Sequence, residues 1–255
     1  MSQYVDVKTE NGIQLITLNR PDKKNALLQE MYAVMADSLI AADDDPNIRV
    51  TVITGTADSF TSGNDLGDFL NNPAQNDETP VARFIRCLAE IKKPLIAAVN
   101  GLAVGVGTTM LMHCDLVYAS TNAKFSLPFV NLALVPEASS SYLMPKMLGH
   151  QRASELLLLG EPFDAEKAQR YGVINEITST EDLLPKAMEA AAKIALKAPE
   201  AVRLAKALLK NDQEAVLNQM NVESEVFRDR LHSAEAKEAF MAFMERRAPD
   251  FSKFN

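Results

Sequence analysis

An α/β fold closed by a C-terminal helical module is the architecture this sequence predicts, and three observations carry it. Short apolar runs bounded by glycine or proline, RVTVITG at 49–55 and PLIAAVN at 94–100, read as buried strands. Segments with apolar residues at helical spacing alternate with them. After Pro136 the pattern turns mostly helical, broken only by the short strand VINEIT at 173–178. Strands and helices that alternate and then give way to helices imply layers packed on one core with a helical extension.

The elements follow in order. YVDVK and IQLITLN flank Thr9-Glu10-Asn11-Gly12, and Asn-Gly signals a hairpin because both residues tolerate positive φ. An amphipathic helix spans Leu28 to Ala42 and stops at the acidic run Asp43-Asp44-Asp45 before Pro46. The strand Arg49 to Gly55 comes next, then SFTSGNDLGDF, then a polar stretch from Asn71 to Pro80 expected to be a mobile surface loop. VARFIRCLAEI suits a helix, and Gly101 to Gly107 turns the strand PLIAAVN into the helix TTMLMHCD. LVYAS and AKFSL supply short strands, and long helices run from about Glu181 onward. Ser233 suits an N-cap, with Glu235 in the first turn to meet the helix dipole. Phe240, Phe243 and Met244 then repeat at helical spacing, a stripe suited to a core or a subunit interface.

Composition narrows the function. Of 255 residues, 47% are hydrophobic and 24% charged, which fits an ordinary globular chain with a substantial core. A formal net charge of -8 argues against nucleic acid or an anionic membrane as the main partner. It leaves room for a local cationic pocket. Cys87 and Cys114 have no C-x-x-C spacing, so neither a disulfide framework nor a structural zinc site is expected, and a reducing compartment fits. MSQYVDVKTENG lacks an apolar h-region, SKFN is not a peroxisomal ending, and no run reaches the ~18 apolar residues of a membrane span. The expectation is a cytoplasmic protein with no membrane partner.

Most chemical motifs fail on inspection. VNGLAVGVGTTM sits where a dinucleotide loop would, but Met110 stands where the third small residue belongs, and Leu127 and Pro128 replace the distant acid. His113-Cys114-Asp115 are sequence neighbours and do not converge on one point of a helix surface. Ser139 to Ser141 lack the G-x-S-x-G elbow, and no metal spacing occurs. Two glycine-bearing turns survive: Ser62-Gly63-Asn64-Asp65 and Gly105-Val106-Gly107. Each follows a strand and leads toward a helix. Glycine admits a ligand close to the main chain, and N–H groups at a helix start favour negative charge. Facing each other, two such turns would form an oxyanion hole. In NLALVPEASSSYLMPKM, Glu137 follows Pro136 and is either an ordinary helix-start acid or a proton carrier. Leu127, Phe129, Leu132 and Leu134 would line an apolar tunnel there, and desolvation would raise the acid's pKa, with the helix end opposing the rise.

NRPDKKNAL (19–27), SFTSGNDL (59–66), PLIAAVNGLAVGVG (94–107) and CDLVYAS (114–120) resemble the crotonase, or enoyl-CoA hydratase/isomerase, superfamily, and the likeness extends through SAEAKEAFMAFMERRAPDF. The resemblance implies a spiral of ββα units over residues 1–195 and a C-terminal helical oligomerisation region over 196–255, assembled as a homotrimer or hexamer. It implies an acyl-CoA thioester as substrate. Coenzyme A is then part of the substrate and no separate cofactor is needed. The thioester oxygen would be held by the main-chain N–H groups of Asn64 and Val106. Where the family's hydratases carry two glutamates, this chain has Thr109 and Phe129, neither of which exchanges protons at neutral pH.

LVPEASSSYLMPKM, with SGNDL and LPF, is most similar to the 3,2-enoyl-CoA isomerases of the peroxisomal type, in which a glutamate after proline is the catalytic acid/base. That role falls on Glu137. By the same resemblance, Lys23 and Lys24 beside Ala26 are candidates for the phosphates, as are Arg247 or Lys253. Ser62, Gly63, Asn64, Asp65 and Leu66 would flank the adenine and thioester, with Val106 and Phe129 at the acyl end. Hydration, dienoyl-CoA isomerisation and non-catalytic acyl-CoA binding are the alternatives.

Overall fold

In the computed structural model, residues 2–71, 76 and 78–254 are described. Of the expected mobile loop from Asn71 to Pro80, residues 72–75 and 77 lie outside them. The chain opens with an antiparallel hairpin, β1 (Val5–Glu10) and β2 (Ile13–Leu18), in register from Val5 opposite Leu18 to Glu10 opposite Ile13. Asn11 (φ 53°) and Gly12 (φ 78°) are both left-handed, which matches strand twist to a two-residue turn.

A parallel ladder grows from β2 through β3 (Val50–Gly55), β5 (Leu95–Val99), β7 (Leu116–Ser120) and β10 (Glu176–Thr178). A second sheet holds β4 (Ser59–Thr61), β6 (Leu102–Val104), β8 (Lys124–Ser126) and β9 (Phe163–Asp164) in that order. Each of the pairs β3/β4, β5/β6 and β7/β8 sends its first strand to the large sheet and its second to the small one. Successive pairs advance one position along both sheets, which makes a spiral of ββα units. The helices between them are α1 (Gln29–Asp44), α2 (Leu66–Asn71), α3 (Pro80–Glu90) and α4 (Val106–Thr109).

Period-two alternation divides the core. Val50 and Val52 of β3, with Ile96 and Ala98 of β5, face α8 (Thr180–Ala195), whose Leu183, Ala187 and Ala191 pack on them. Ile53, Leu95, Ala97 and Val99 face the other way, into the larger core with Met31, Met35 and Leu39 of α1 and Phe84 and Leu88 of α3. Strands covered on both faces are apolar at most positions, hence the runs in the sequence; the buried Thr51 and Thr54 of β3 satisfy their hydroxyls on Gln14 Oε1 (3.2 Å) and Ala98 O (2.9 Å).

Three local features differ from the sequence reading. β6 lies inside what read as the Gly101–Gly107 turn, and β4 in the stretch SFTSGNDLGDF, to which the sequence reading gives no element, because three residues between turns carry too little periodicity to register. Helix α1 runs on through the acidic run to Asp44. There the Asp43 carboxylate accepts from the N–H groups of Lys92 (2.7 Å) and Lys93 (2.9 Å), tying the α3–β5 link to α1. The helix expected over 108–115 is α4 followed by a tighter 3-10 turn, Met110–His113.

The remaining helices are α5 (Ser140–Leu148), α6 (His150–Leu159), α7 (Ala165–Tyr171), α9 (Pro199–Leu209), α10 (Gln213–Leu231) and α11 (Ala234–Glu245). Ser233 caps α11 as expected, its Oγ accepting from Ala236 N–H at 3.0 Å. Phe240 joins the main core, while Phe243 and Met244 are 60% and 65% exposed. Among the described residues no helix is long and apolar enough to cross a membrane.

Candidate active site

The first glycine turn closes β4. Gly63 sits at φ 87°, and a Cβ there would meet the Val104 carbonyl oxygen of β6 at 2.9 Å. Only glycine permits both the dihedral and the approach. Leu27 lies alongside in a one-residue parallel bridge to Asn64: its N–H donates to Gly63 O (2.8 Å), and Asp65 N–H donates to Leu27 O (2.9 Å). In that geometry the N–H of Asn64 points away from Leu27. The Tyr32 hydroxyl donates to Asn64 Oδ1 at 2.5 Å and fixes the side chain.

Gly105 (φ 55°) turns β6 into α4, and its N–H is taken by Ser126 O at 2.9 Å. Val106 is the first residue of α4, where a helix offers its N–H no acceptor. A Cβ on Gly107 would lie 2.5 Å from Thr61 Cγ2, so this glycine lets α4 sit directly against β4. Two tight packings thus bring the turns together.

Both turns border an apolar pocket of about 150 Å³. Its walls come from the segment 128–134, with Phe129, Leu132 and Leu134, and from the C-terminal helices, with Phe227 of α10 and Phe240 and Phe243 of α11. Glu137 is the one ionisable side chain among the lining residues. Its Oε1 is buried and has no hydrogen-bond partner among the described residues. Burial, and then the negative charge of Glu223, push its pKa up to about 8. The helix-start reading of Glu137 does not hold. Helix α5 begins at Ser140, after a left-handed Ser139, so the acid stands ahead of the helix and outside its first turn. No helix end opposes the rise; a second carboxylate adds to it.

Of the residues singled out in the sequence, Ser62, Gly63, Asn64, Leu66, Val106, Phe129 and Glu137 line this pocket. Asp65, Ala26, Lys23 and Lys24 are not among its lining residues. Asp65 Oδ1 accepts from Gly67 and Asp68 N–H groups (both 3.1 Å), which starts α2, and Oδ2 pairs with Arg20 at 2.7 Å. Burial would raise the Asp65 pKa, but the Arg20 bond and these N–H groups hold it below the usual range. The Ala26 carbonyl accepts from the same Arg20 guanidinium at 3.0 Å. Lys23 is exposed in a 3-10 turn, Pro21–Lys23, and Lys24 pairs with Asp58 at 2.6 Å. Arg247 and Lys253 both reach buried Glu238, at 2.6 and 3.2 Å.

Thr109 is fully buried, its hydroxyl donates to Val106 O at 3.4 Å, and it is not among the pocket's lining residues. His113 donates through Nε2 to Ala138 O (2.7 Å); burial lowers its pKa to about 4, so it is neutral. Burial likewise pushes both cysteine thiols up to about 12, which leaves them inert. Sequence reasoning missed Tyr32, Phe227 and Glu223. A tyrosine and a phenylalanine at helical spacing read as core, and an acid within a polar helix reads as solvated.

Two sheets climbed by repeated ββα units, with two glycine turns over an apolar pocket that holds one acid, define a fold of the crotonase class. The chain belongs to the enoyl-CoA hydratase/isomerase family, whose model matches residues 8–254. It is 33% identical over 99% of its length to 1,2-epoxyphenylacetyl-CoA isomerase of Escherichia coli (strain K12), covering 99% of that protein. It is 36% identical over 95% of its length to human enoyl-CoA delta isomerase 2, of which it spans 63%. A solved enoyl-CoA hydratase/isomerase from Pseudoalteromonas atlantica T6c matches with a TM-score of 0.94 at 41% identity, covering 98% of this chain and 100% of that one.

Proposed function

We propose that this family member is a 3,2-trans-enoyl-CoA isomerase, with Glu137 as its acid/base and the main-chain N–H groups of Asn64 and Val106 as its oxyanion hole. The observation that carries the reading is a carboxyl whose buried Oε1 has no partner among the described residues, in a mostly apolar pocket beside both glycine turns. In a 3-enoyl thioester, Glu137 takes a proton from C2 and the electrons of that bond flow toward the thioester oxygen. The resulting dienolate takes the same proton back at C4, leaving the double bond at C2–C3 and Glu137 ionised as before. Donors aimed at the oxygen stabilise the dienolate more than the substrate, and each is worth about a hundred- to a thousandfold in rate.

Hydration needs a second group to position and activate water. Thr109, with its hydroxyl turned to the main chain, and Phe129 do not supply one. Coenzyme A enters as part of the substrate. The exposed Leu196, Leu208, Leu209, Phe243 and Met244 support residues 196–255 as the surface on which copies of the chain assemble as a trimer or hexamer. Two free thiols, Cys87 and Cys114, suit a reducing compartment such as the cytoplasm.

Glu137→Gln is expected to reduce isomerisation of a 3-enoyl-CoA by about three orders of magnitude while thioester binding persists. Turnover retained in that variant refutes the assignment. Water addition to a 2-enoyl-CoA by the wild type, at a rate matching isomerisation, points to a hydratase instead.

A further inference from the structure

The two residues after the pocket acid, Ala138 and Ser139, both adopt left-handed backbone at φ 58°. Side chains other than glycine rarely take this conformation, and it persists only where the surroundings over-determine it. Those surroundings come from distant segments. Glu223 of α10 accepts from Ser139 N–H through Oε2 (2.5 Å) and from Ser141 N–H through Oε1 (2.9 Å). The Ser141 hydroxyl donates to the same Oε1 and itself accepts from Gln219 Nε2 at 2.9 Å. His113 Nε2 holds the Ala138 carbonyl, and Ser140 closes back on the Glu137 carbonyl through its N–H (3.0 Å) and its Oγ (2.6 Å).

Helix α5 therefore has an unusual start. Its N-cap residue, Ser139, makes no side-chain cap, and the Ser139 Oγ has no partner among the described residues. The capping anion is Glu223, 84 residues along the chain from Ser139 and only 6% exposed. An acid just before a helix would ordinarily turn back to meet the free N–H groups of the first turn. Here another carboxylate already occupies them, and Glu137 is left for the pocket.

Resting on the isomerase reading of the site, we propose that Glu223 is a positioning residue. It caps α5 from α10, locks the double left-handed turn, and so holds the Glu137 carboxyl in the acyl pocket. A second consequence follows from its charge, because Glu223 is the charged group that raises the Glu137 pKa after burial itself. Charged groups on the surrounding elements engage other partners: Asp68 of α2 acts on Tyr32, and Arg230 of α10 holds the Ala133 carbonyl and pairs with Glu235. Tyr32 of α1 is kept a neutral phenol by burial and by the charges of Glu137 and of Asp68 on α2. His113, on the 3-10 turn, is neutral, and α11 presents Phe240 and Phe243.

Two variants test this in the intact protein. Glu223→Gln removes the charge and one of the two acceptor oxygens; Glu223→Asp keeps the charge but shortens the reach. In Glu223→Gln, kcat is expected to fall about ten- to a hundredfold with KM nearly unchanged, as for a misplaced catalytic group. The acid limb of its kcat/KM profile should move about one unit to lower pH. Glu223→Asp should lose kcat without moving that limb. Infrared titration of the Glu137 carboxyl band, isolated by subtracting the Glu137→Gln counterpart in both the wild-type and the Glu223→Gln backgrounds, reads the same downward shift with no turnover required. That arm stands even if the enzyme proves not to be an isomerase, whereas retained activity in Glu137→Gln strikes only at the functional assignment. A Glu223→Gln protein that is merely less stable, with kcat per folded molecule and the Glu137 titration both unchanged, overturns the proposal.

Discussion

In its proposed role as general base Glu137 acts only when ionised, so its raised pKa makes a quantitative claim about pH. With a pKa of about 8 it carries its charge in only about a tenth of free enzyme molecules at pH 7, and in about nine-tenths at pH 9. The perturbation is pH itself, and kcat/KM for a 3-enoyl-CoA should climb about tenfold across those two units, because that parameter reports the free enzyme. The direction follows from the cause. Burial penalises the charged carboxylate first and Glu223 repels it second, and both favour the protonated form, so the acid limb lies well above that of an ordinary glutamate. The assay is initial rate against pH between 5 and 10, following formation of the conjugated 2-enoyl thioester. Ionic strength is held constant, and since salt screens a buried pair only weakly the limb should move little when it is varied. A limb near 4.5, or a flat profile from pH 6 to 9, refutes the claim that this pocket desolvates its acid.

The same shift predicts a cost in stability. The folded pKa of Glu137 lies above the unfolded one, so its contribution is fully present below about pH 4.5, declines as pH rises, and is lost once pH passes about 8. Glu137→Gln should therefore be more stable than wild type at pH 8 and above by a few kcal/mol, with little difference at pH 4; denaturant midpoints at the two pH values check this. Gly107→Ala should push α4 off β4, since its Cβ would sit 2.5 Å from Thr61 Cγ2. A loss of about 1–3 kcal/mol in stability is expected. A fall in kcat toward the hundredfold typical of one lost oxyanion donor should accompany it, and a variant that keeps wild-type kcat would show that the Val106 N–H is not such a donor.

How much of this was legible beforehand depends on how far each feature reaches along the chain. The hairpin at Asn11-Gly12, the cap at Ser233 and the buried runs of β3 and β5 are local or nearly so: a residue's own φ, its own hydroxyl, its own apolar periodicity. The glycines at 63, 105 and 107 were visible as turns, but only the packing shows why they are glycines, with Val104 O and Thr61 Cγ2 lying where a Cβ would go on two of them. The strands β4 and β6 escaped notice because three residues between turns carry almost no pattern. Lys23 and Lys24 read like Glu137 as charges near a turn, yet Lys23 is exposed and Lys24 pairs with Asp58.

The sequence by itself determined the class of fold, the order of its longer strands and helices, and which segment would carry a lone acid. It did not determine what that acid is. Whether a glutamate is an ordinary surface charge or a base poised near neutrality depends on who takes away its water and who occupies the helix end beside it. Here those are Phe227 and Glu223 from α10 and Phe240 from α11, all more than eighty residues downstream of Glu137. Desolvation and charge repulsion act through space within a few ångströms, and only the folded chain brings those groups that close.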